Sequence, residues 1–342
     1  MRMTAALLFV GLLLPTPAGA AFTLGEQGVR NLDIFGTAKV GVEHDFEAGE
    51  GDPAVGFDFS TVSLFLGGHV APTVSYLFHH TFDKGSYGLL DCWVQWQPCG
   101  SFLLCAGQLK APFGRLYNTS GNKLMFKIRN PIVSYYPQYQ VGVAPGFSLL
   151  DGKVELSAGV FDGEGRNAFN ADPNLLYAAN LVVSPFGPVP MDESGHPGFA
   201  EPVFAIVPGW YTNAARIPFT TVDVTTTSYG VAGALRYDYL AVDAGCYVRT
   251  VDDPSIGGGK SSSTGLTAQA GYAVQGKYEP ILRFTMVDPN TGTGDDEVMT
   301  IEGGLNWYLD GYASRLGLNY LRETTGGSVT QSVVKLYYQF IF

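Results

Sequence analysis

The chain has 342 residues, with 20 Lys plus Arg against 31 Asp plus Glu, and its formal net charge of −11 argues against nucleic-acid binding. Charged residues make up only 15% of it, while Phe (22) and Tyr (19) together outnumber Lys plus Arg and Gly reaches 44, which is unusual for a soluble secreted domain. Beyond the first twenty residues no uninterrupted apolar stretch reaches the roughly 18 residues of a membrane helix, so a soluble protein or a β-barrel remains. A wall that faces lipid on one side accounts for the low charge.

Residues 1–20 read as a secretory signal: Arg2, an apolar run from Ala5 to Leu14, a Pro15-Thr16-Pro17 break, then Ala18-Gly19-Ala20 with small residues at −3 and −1. Cleavage after Ala20 leaves 342 − 20 = 322 residues, 21–342, as one barrel domain with a charge of 19 − 31 = −12.

From Leu32 onward period-two alternation recurs in segments of roughly ten residues, the length of a tilted strand crossing the outer membrane. Strands are predicted near 32–43, 57–70, 74–83, 88–97, 102–110, 139–149, 153–163, 175–185, 203–212, 226–239, 240–251, 264–275, 278–288, 298–309, 312–323 and 331–342. A soluble sandwich would alternate as well, so the connections decide. Those after even-numbered strands are tight, as at Ala71 to Thr73, Leu150 to Gly152 and Asp310-Gly311, whereas those after odd strands are longer and rich in Gly, Asp and Pro, as at His44 to Gly56 and Ala111 to Gln138. Sixteen antiparallel strands, tight periplasmic turns and long outer loops describe an all-β transmembrane barrel. One connection breaks the pattern: Phe186 to Pro202 is long and Pro-rich where a short turn is expected.

Parity supports this reading, because paired strands must agree on which residues face outward. The Asp310-Gly311 hairpin sets Leu305 opposite Leu316 on one face and Asn306 opposite Arg315 on the other. The Tyr239-Leu240 hairpin pairs Tyr237 with Val242 outward and Arg236 with Asp243 inward. In the last strand Phe342 falls on the lipid face and Lys335 in the lumen, and aromatics gather near strand ends as interface girdles do.

Five segments, in order, resemble the phosphate-selective porin O and P family: Ala106-Gly107-Gln108-Leu109-Lys110-Ala111-Pro112-Phe113, Gly159-Val160-Phe161-Asp162-Gly163, Gly271-Tyr272 with Glu279-Pro280 and Arg283-Phe284, Gly304-Leu305-Asn306-Trp307-Tyr308-Leu309 with Asn319-Tyr320, and Tyr338-Gln339-Phe340-Ile341-Phe342. The resemblance implies a sixteen-stranded homotrimeric porin of the Gram-negative outer membrane, embedded in lipid and lipopolysaccharide, whose third outer loop folds into the lumen. The chain departs from the family in supplying few basic residues for the arginine rows and lysine cluster of phosphate-selective members, and in having Asn180 where the family often has Arg.

A channel's chemistry lies in the charges that line its constriction. Parity turns Lys39, Lys110, Arg236, Arg249, Arg283, Arg315 and Lys335 inward, with Asp33, Asp91, Glu155, Asp243, Glu279 and Glu302. The third loop, 111–138, adds Arg115, Lys123, Lys127 and Arg129 and no acid, which makes it the best candidate for a positive field focused by low-dielectric walls. Against this stands a structural role: inward charges in barrels often pair across strands, as Arg236 with Asp243 or Glu279 with Arg283 would.

Other patterns are weaker. Gly257-Gly258-Gly259-Lys260-Ser261 lacks both the first glycine and the strand-to-helix context of a phosphate-cradling loop. His79 and His80 point to opposite faces of a strand, against a shared metal. Cys92 and Cys105 fall opposite each other in the predicted hairpin, the arrangement of a cross-strand disulfide, with two unpaired lipid-facing thiols as the alternative. Acidic clusters at Glu43 to Asp52 and Asp295 to Glu297 read as solvated charge runs, with divalent cations bridging lipopolysaccharide as the functional alternative. Nothing marks a catalytic site or a cofactor. The expected function is passive diffusion of small hydrophilic solutes or ions with a modest anion preference. The alternative is a sheath around a periplasmic partner such as a multihaem cytochrome, which would have to bring its own haem because the chain has no Cys-x-x-Cys-His.

Overall fold

The computed structural model describes residues 22–26, 29–49, 54–83, 86–217, 220–255 and 259–342; the predicted signal, 1–20, lies outside them. The described residues form seventeen strands: β1 Phe22–Glu26, β2 Arg30–Asp45, β3 Val55–Ala71, β4 Val74–Asp83, β5 Ser86–Cys99, β6 Phe102–Lys110, β7 Tyr139–Leu149, β8 Val154–Phe161, β9 Leu176–Val183, β10 Phe199–Arg216, β11 Asp223–Asp238, β12 Leu240–Asp252, β13 Lys260–Tyr272, β14 Tyr278–Asp288, β15 Val298–Asp310, β16 Ser314–Thr325 and β17 Ser328–Ile341. From β2 to β17 each strand pairs antiparallel with the next, and β17 returns to pair with β2. All sixteen predicted strands are therefore present in one closed cylinder. The short β1 was not expected; it hairpins onto β2 with Phe22 opposite Ile34, beyond the point where β17 ends opposite Thr37.

The wall alternates in the inverse sense to a soluble sheet. Along β12, Ala241, Asp243, Gly245 and Tyr247 are buried while Cys246 and Val248 are exposed, and along β14 Glu279, Ile281, Arg283 and Thr285 are buried while Pro280 and Leu282 are exposed. Polar and charged groups thus turn into the lumen and aliphatic ones face out, as lipid requires.

Two predicted hairpin registers are offset by two residues. Leu305 lies opposite Leu318 instead of Leu316, and Tyr237 opposite Leu240 instead of Val242. An even offset leaves every side chain on its predicted face. The β5–β6 hairpin differs in kind: the ladder is irregular between Trp96 and Cys99, which places Cys92 opposite Gln108 and Cys105 opposite Gln95. Cys92 is exposed, Cys105 is buried, and both are free thiols, so the Cys92–Cys105 disulfide is not formed.

The seam closes on a glycine. Gly36 N–H donates to the Phe342 carbonyl at 2.6 Å and Phe342 N–H returns a bond to the Gly36 carbonyl at 2.9 Å. A Cβ at Gly36 would stand 2.5 Å from the Phe342 ring. Gly36→Val should push that ring off the seam and weaken closure, seen as loss of the compact, heat-modifiable band when unboiled outer membranes are run in SDS gels. A Gly36→Val protein that stays fully heat-modifiable, with unchanged Tm, would show that the contact is dispensable.

Candidate functional site

Two connections occupy the lumen. The segment 111–138 between β6 and β7 is anchored by Phe113, which is fully buried with its ring 4.9 Å from Tyr136, 5.2 Å from Tyr211 and 6.1 Å from Tyr247. The Tyr136 and Tyr247 hydroxyls share a 2.7 Å hydrogen bond. Glycines in the wall make room for these rings: a Cβ at Gly265 would collide with Ile132 and stand 2.9 Å from Tyr135.

The backbone of this segment, stripped of water, is satisfied by inward wall residues. Lys39 Nζ donates to the carbonyls of Gly121 (2.7 Å) and Lys127 (3.1 Å), Arg315 to Leu124 (2.7 Å), Asn306 to Met125 (2.9 Å) and Gln339 to Asn122 (2.9 Å). Several inward cations that sequence assigns to the pore are thus spent on the loop's carbonyls.

The second segment is the connection between β9 and β10, the one whose length broke the turn pattern. It turns into the barrel and locks onto the first. Arg115 donates to the carbonyls of Val189, Pro190 and Asp192, Thr119 Oγ1 to Met191 O (2.9 Å), and Met125 N–H to the Glu193 carboxylate (2.8 Å). Ser194 Oγ and Gly195 N–H donate to Glu279, which also accepts from Asn306 and Tyr308, and the His196 ring stacks on Tyr308 at 4.9 Å.

Ion pairing accounts for most of the predicted site residues. Asp243 holds Arg236 at 2.9 Å and Arg115 at 3.2 Å, all essentially fully buried. Lys123 pairs with Asp192 at 2.7 Å, Lys127 with Asp58, Arg283 with Glu302, and Lys335 with Glu43 at 3.2 Å. Arg283 therefore pairs with Glu302 directly across the β14–β15 ladder and not with Glu279. Arg249 donates to Ser134 O (3.0 Å) and lies over the Tyr135 ring, and Arg315 lies over Tyr308 and Tyr337.

A cavity of about 280 Å³ lies between the inserted loop and the β3–β8 side of the wall. Of the predicted residues, Lys110 and Arg129 line it; Arg115, Lys123, Lys127, Arg236, Asp243, Arg249, Glu279, Arg283, Glu302, Arg315 and Lys335 do not. Lys110 Nζ donates to the carbonyls of Asn118 (3.3 Å) and Thr119 (3.4 Å) and sits over the Tyr117 and Tyr139 rings. Arg129 donates to Tyr117 O (3.1 Å) and stacks its guanidinium 5.2 Å from the Tyr117 centroid. Neither has a carboxylate in salt-bridge range among the described residues. Asp91, also in the lining, accepts from His79 Nδ1 (2.9 Å) and the Tyr139 hydroxyl (3.2 Å). Sequence reasoning missed Tyr117, Tyr139, Asp83 and Arg166 as lining residues. Arg166 comes from the outer connection after β8, whose Asn167 is tied to Gln108 of β6, so the signal was a charge in a long outer loop other than the third.

A closed sixteen-strand barrel with an aliphatic exterior and a polar, loop-filled lumen has the porin architecture of the Gram-negative outer membrane. Residues 39–194 match the family model described as phosphate-selective porin O and P, which is the family the motifs resemble. That span contains the first two of the five motifs; the other three lie C-terminal to it. No curated protein matches the sequence. Among solved structures, the anion-selective porin from Comamonas acidovorans is similar with a TM-score of 0.69 at 11% identity, covering 91% of this chain and 99% of that one. Salmonella typhi OmpF in complex with daunomycin gives 0.66 at 10% identity, covering 94% and 100%. The trimer form of Vibrio cholerae OmpT, an outer membrane protein, gives 0.60 at 11%, covering 91% and 99%.

Asp243 is the counter-charge of two buried guanidiniums, so Asp243→Asn should cost about 3–5 kcal/mol, the scale of orphaning a buried ion. Urea titration of tryptophan fluorescence measures it; a midpoint equal to wild type would mean that the two arginines are held by their carbonyl partners alone. Gly265→Leu should displace the inserted loop and raise single-channel conductance in planar bilayers, and wild-type conductance would show that Ile132 and Tyr135 yield without moving the loop.

Proposed function

We propose that this porin is a passive diffusion channel for small hydrophilic solutes, with a modest anion preference set by Lys110 and Arg129. The observation that carries the reading is the division of the cations: those of the third loop other than Arg129 are ion-paired, while Arg129 and the neighbouring Lys110 line a cavity beside the loop. Low-dielectric walls strengthen the field of such charges on an entering ion. The preference is modest because Asp83 and Asp91 share the lining. The fold neighbour from Comamonas acidovorans, titled an anion-selective porin, agrees in direction.

A homotrimer is the proposed assembly, in line with the trimer form of the OmpT neighbour. The lumen is packed with the chain's own segments, which favours a channel over a sheath threaded by a cytochrome. Residues 39–194 match the phosphate-selective family model, but Asp83 and Asp91 in the same lining disfavour a multiply charged anion.

In planar bilayers under a KCl gradient the reversal potential should show chloride permeating faster than potassium. Arg129→Gln and Lys110→Gln should each lower the permeability ratio roughly two- to fivefold, the equivalent of about 0.5–1 kcal/mol for a partly screened charge. Cation preference in wild type, or ratios untouched by both substitutions, would refute the assignment.

A further inference from the structure

The connection between β9 and β10 is a second determinant of the lumen. Gly187 and Gly198 bracket it with φ of +121° and +109°, conformations open to glycine, and between them the chain leaves the wall and returns. Val189 packs on Ala205, Val207, Ala232 and Ala234 of β10 and β11, whereas Ser194 bonds Glu279 of β14 and His196 lies on Tyr308 of β15. At Gly195 a Cβ would collide with the Tyr239 carbonyl oxygen, so a residue without a side chain is needed where the segment passes the β11–β12 turn. The segment thus lies across the β10–β15 arc of the wall, with Val189, Glu193 and Ser194 buried.

Its charge is as specific as its path. Residues 186–198 carry Asp192 and Glu193 and no lysine or arginine. The surface that receives them is basic. Lys123 Nζ lies 2.7 Å from the Asp192 carboxylate, Arg236 donates to the Asp192 carbonyl at 2.6 Å, and Arg115 donates to the carbonyls of Val189, Pro190 and Asp192. Against these three cations the same surface has Asp243, shared by Arg115 and Arg236, and Glu279, which already accepts from Asn306 and Tyr308. Glu193 accepts from the Met125 amide at 2.8 Å and has no cation in salt-bridge range among the described residues. One of the two carboxylates therefore cancels a cation of the third loop, and the other adds a negative charge to a low-dielectric lumen, where both act against an entering anion.

We propose that Asp192 and Glu193 are selectivity-setting residues: the β9–β10 connection is a tethered acidic plug that covers Arg115, Lys123 and Arg236 and closes a second, anion-favouring passage along the β10–β15 arc. The proposal rests on the channel reading and adds an opposing determinant to it. Lys110 and Arg129 favour anions at the cavity beside the third loop, whereas the plug's carboxylates hold that preference down and its bulk holds the conductance down. The two effects are separable, because one resides in two side chains and the other in the backbone that carries them.

Two variants separate them in planar bilayers under a KCl gradient. Asp192→Asn combined with Glu193→Gln keeps the plug's volume and removes its charge, so the chloride-to-potassium permeability ratio should rise roughly two- to fourfold at nearly unchanged conductance. Replacing residues 187–197 by a Gly-Ser-Gly turn removes volume and charge together, so conductance should rise about twofold or more, with at least the same gain in the ratio. Asp151→Asn, at an exposed acid of the β7–β8 turn, is the charge control and should leave the ratio at the wild-type value. A ratio unchanged or lowered by the double substitution, or raised as much by the control, overturns the role of the two acids. Wild-type conductance in the folded deletion protein overturns the plug. Should the deletion protein fail to fold, the ratio measured on the double substitution decides alone. Absence of currents from wild type and all variants sinks the channel reading, whereas wild-type currents that no variant alters sink the plug alone.

Discussion

In hydrocarbon no water is at hand to satisfy a strand edge, so the whole structure depends on the ladder by which β17 returns to β2. That ladder runs from Val333 opposite Asp45 to Ile341 opposite Thr37. Beyond it β2 continues to Arg30, and β1 takes up the pairing that β17 can no longer supply. The terminal Phe342 sits where the two meet, its ring on Gly36. Closure therefore uses both ends of the described chain, and a single small residue lets them come together.

Closing sixteen strands creates an interior far wider than side chains alone can fill. The chain fills it with two of its own connections, which enter from opposite ends because one follows an odd and the other an even strand of the barrel. Each brings a backbone whose carbonyls and amides need partners, and this need consumes the wall's polar residues. Lys39, Asn306, Arg315 and Gln339 cap the loop's carbonyls, Arg236 and Glu279 tie down the β9–β10 connection, and the loop's own Arg115 joins the two segments. Most inward charge is thereby committed to structure on the β10–β17 side. The cavity beside the loop lies on the β3–β8 side, lined by Lys110 and Arg129.

The barrel was legible in the sequence because its determinants are local. Strand length, alternation and turn length are each read within about fifteen residues, and an error of two in register leaves the faces unchanged. The thiols show where this tolerance ends. An irregularity near Cys99 slides the pairing by an odd number of residues relative to expectation, and Cys105 meets Gln95. One hydrogen-bond irregularity decides whether two sulfurs can meet, and no alternation pattern records it.

The site was less legible because its determinants are not local. Counted in sequence, the third loop holds four cations and no acid, which reads as an exposed positive field. Their partners Asp58, Asp192 and Asp243 come from β3, from the inserted β9–β10 connection and from β12, so the field is cancelled at three of the four positions by residues that lie far away along the chain. Arg129 instead leans on the Tyr117 ring at a point where the loop faces the cavity, with no carboxylate in salt-bridge range among the described residues. A loop's net charge thus overstates its field whenever the loop is inserted deeply enough to meet the wall.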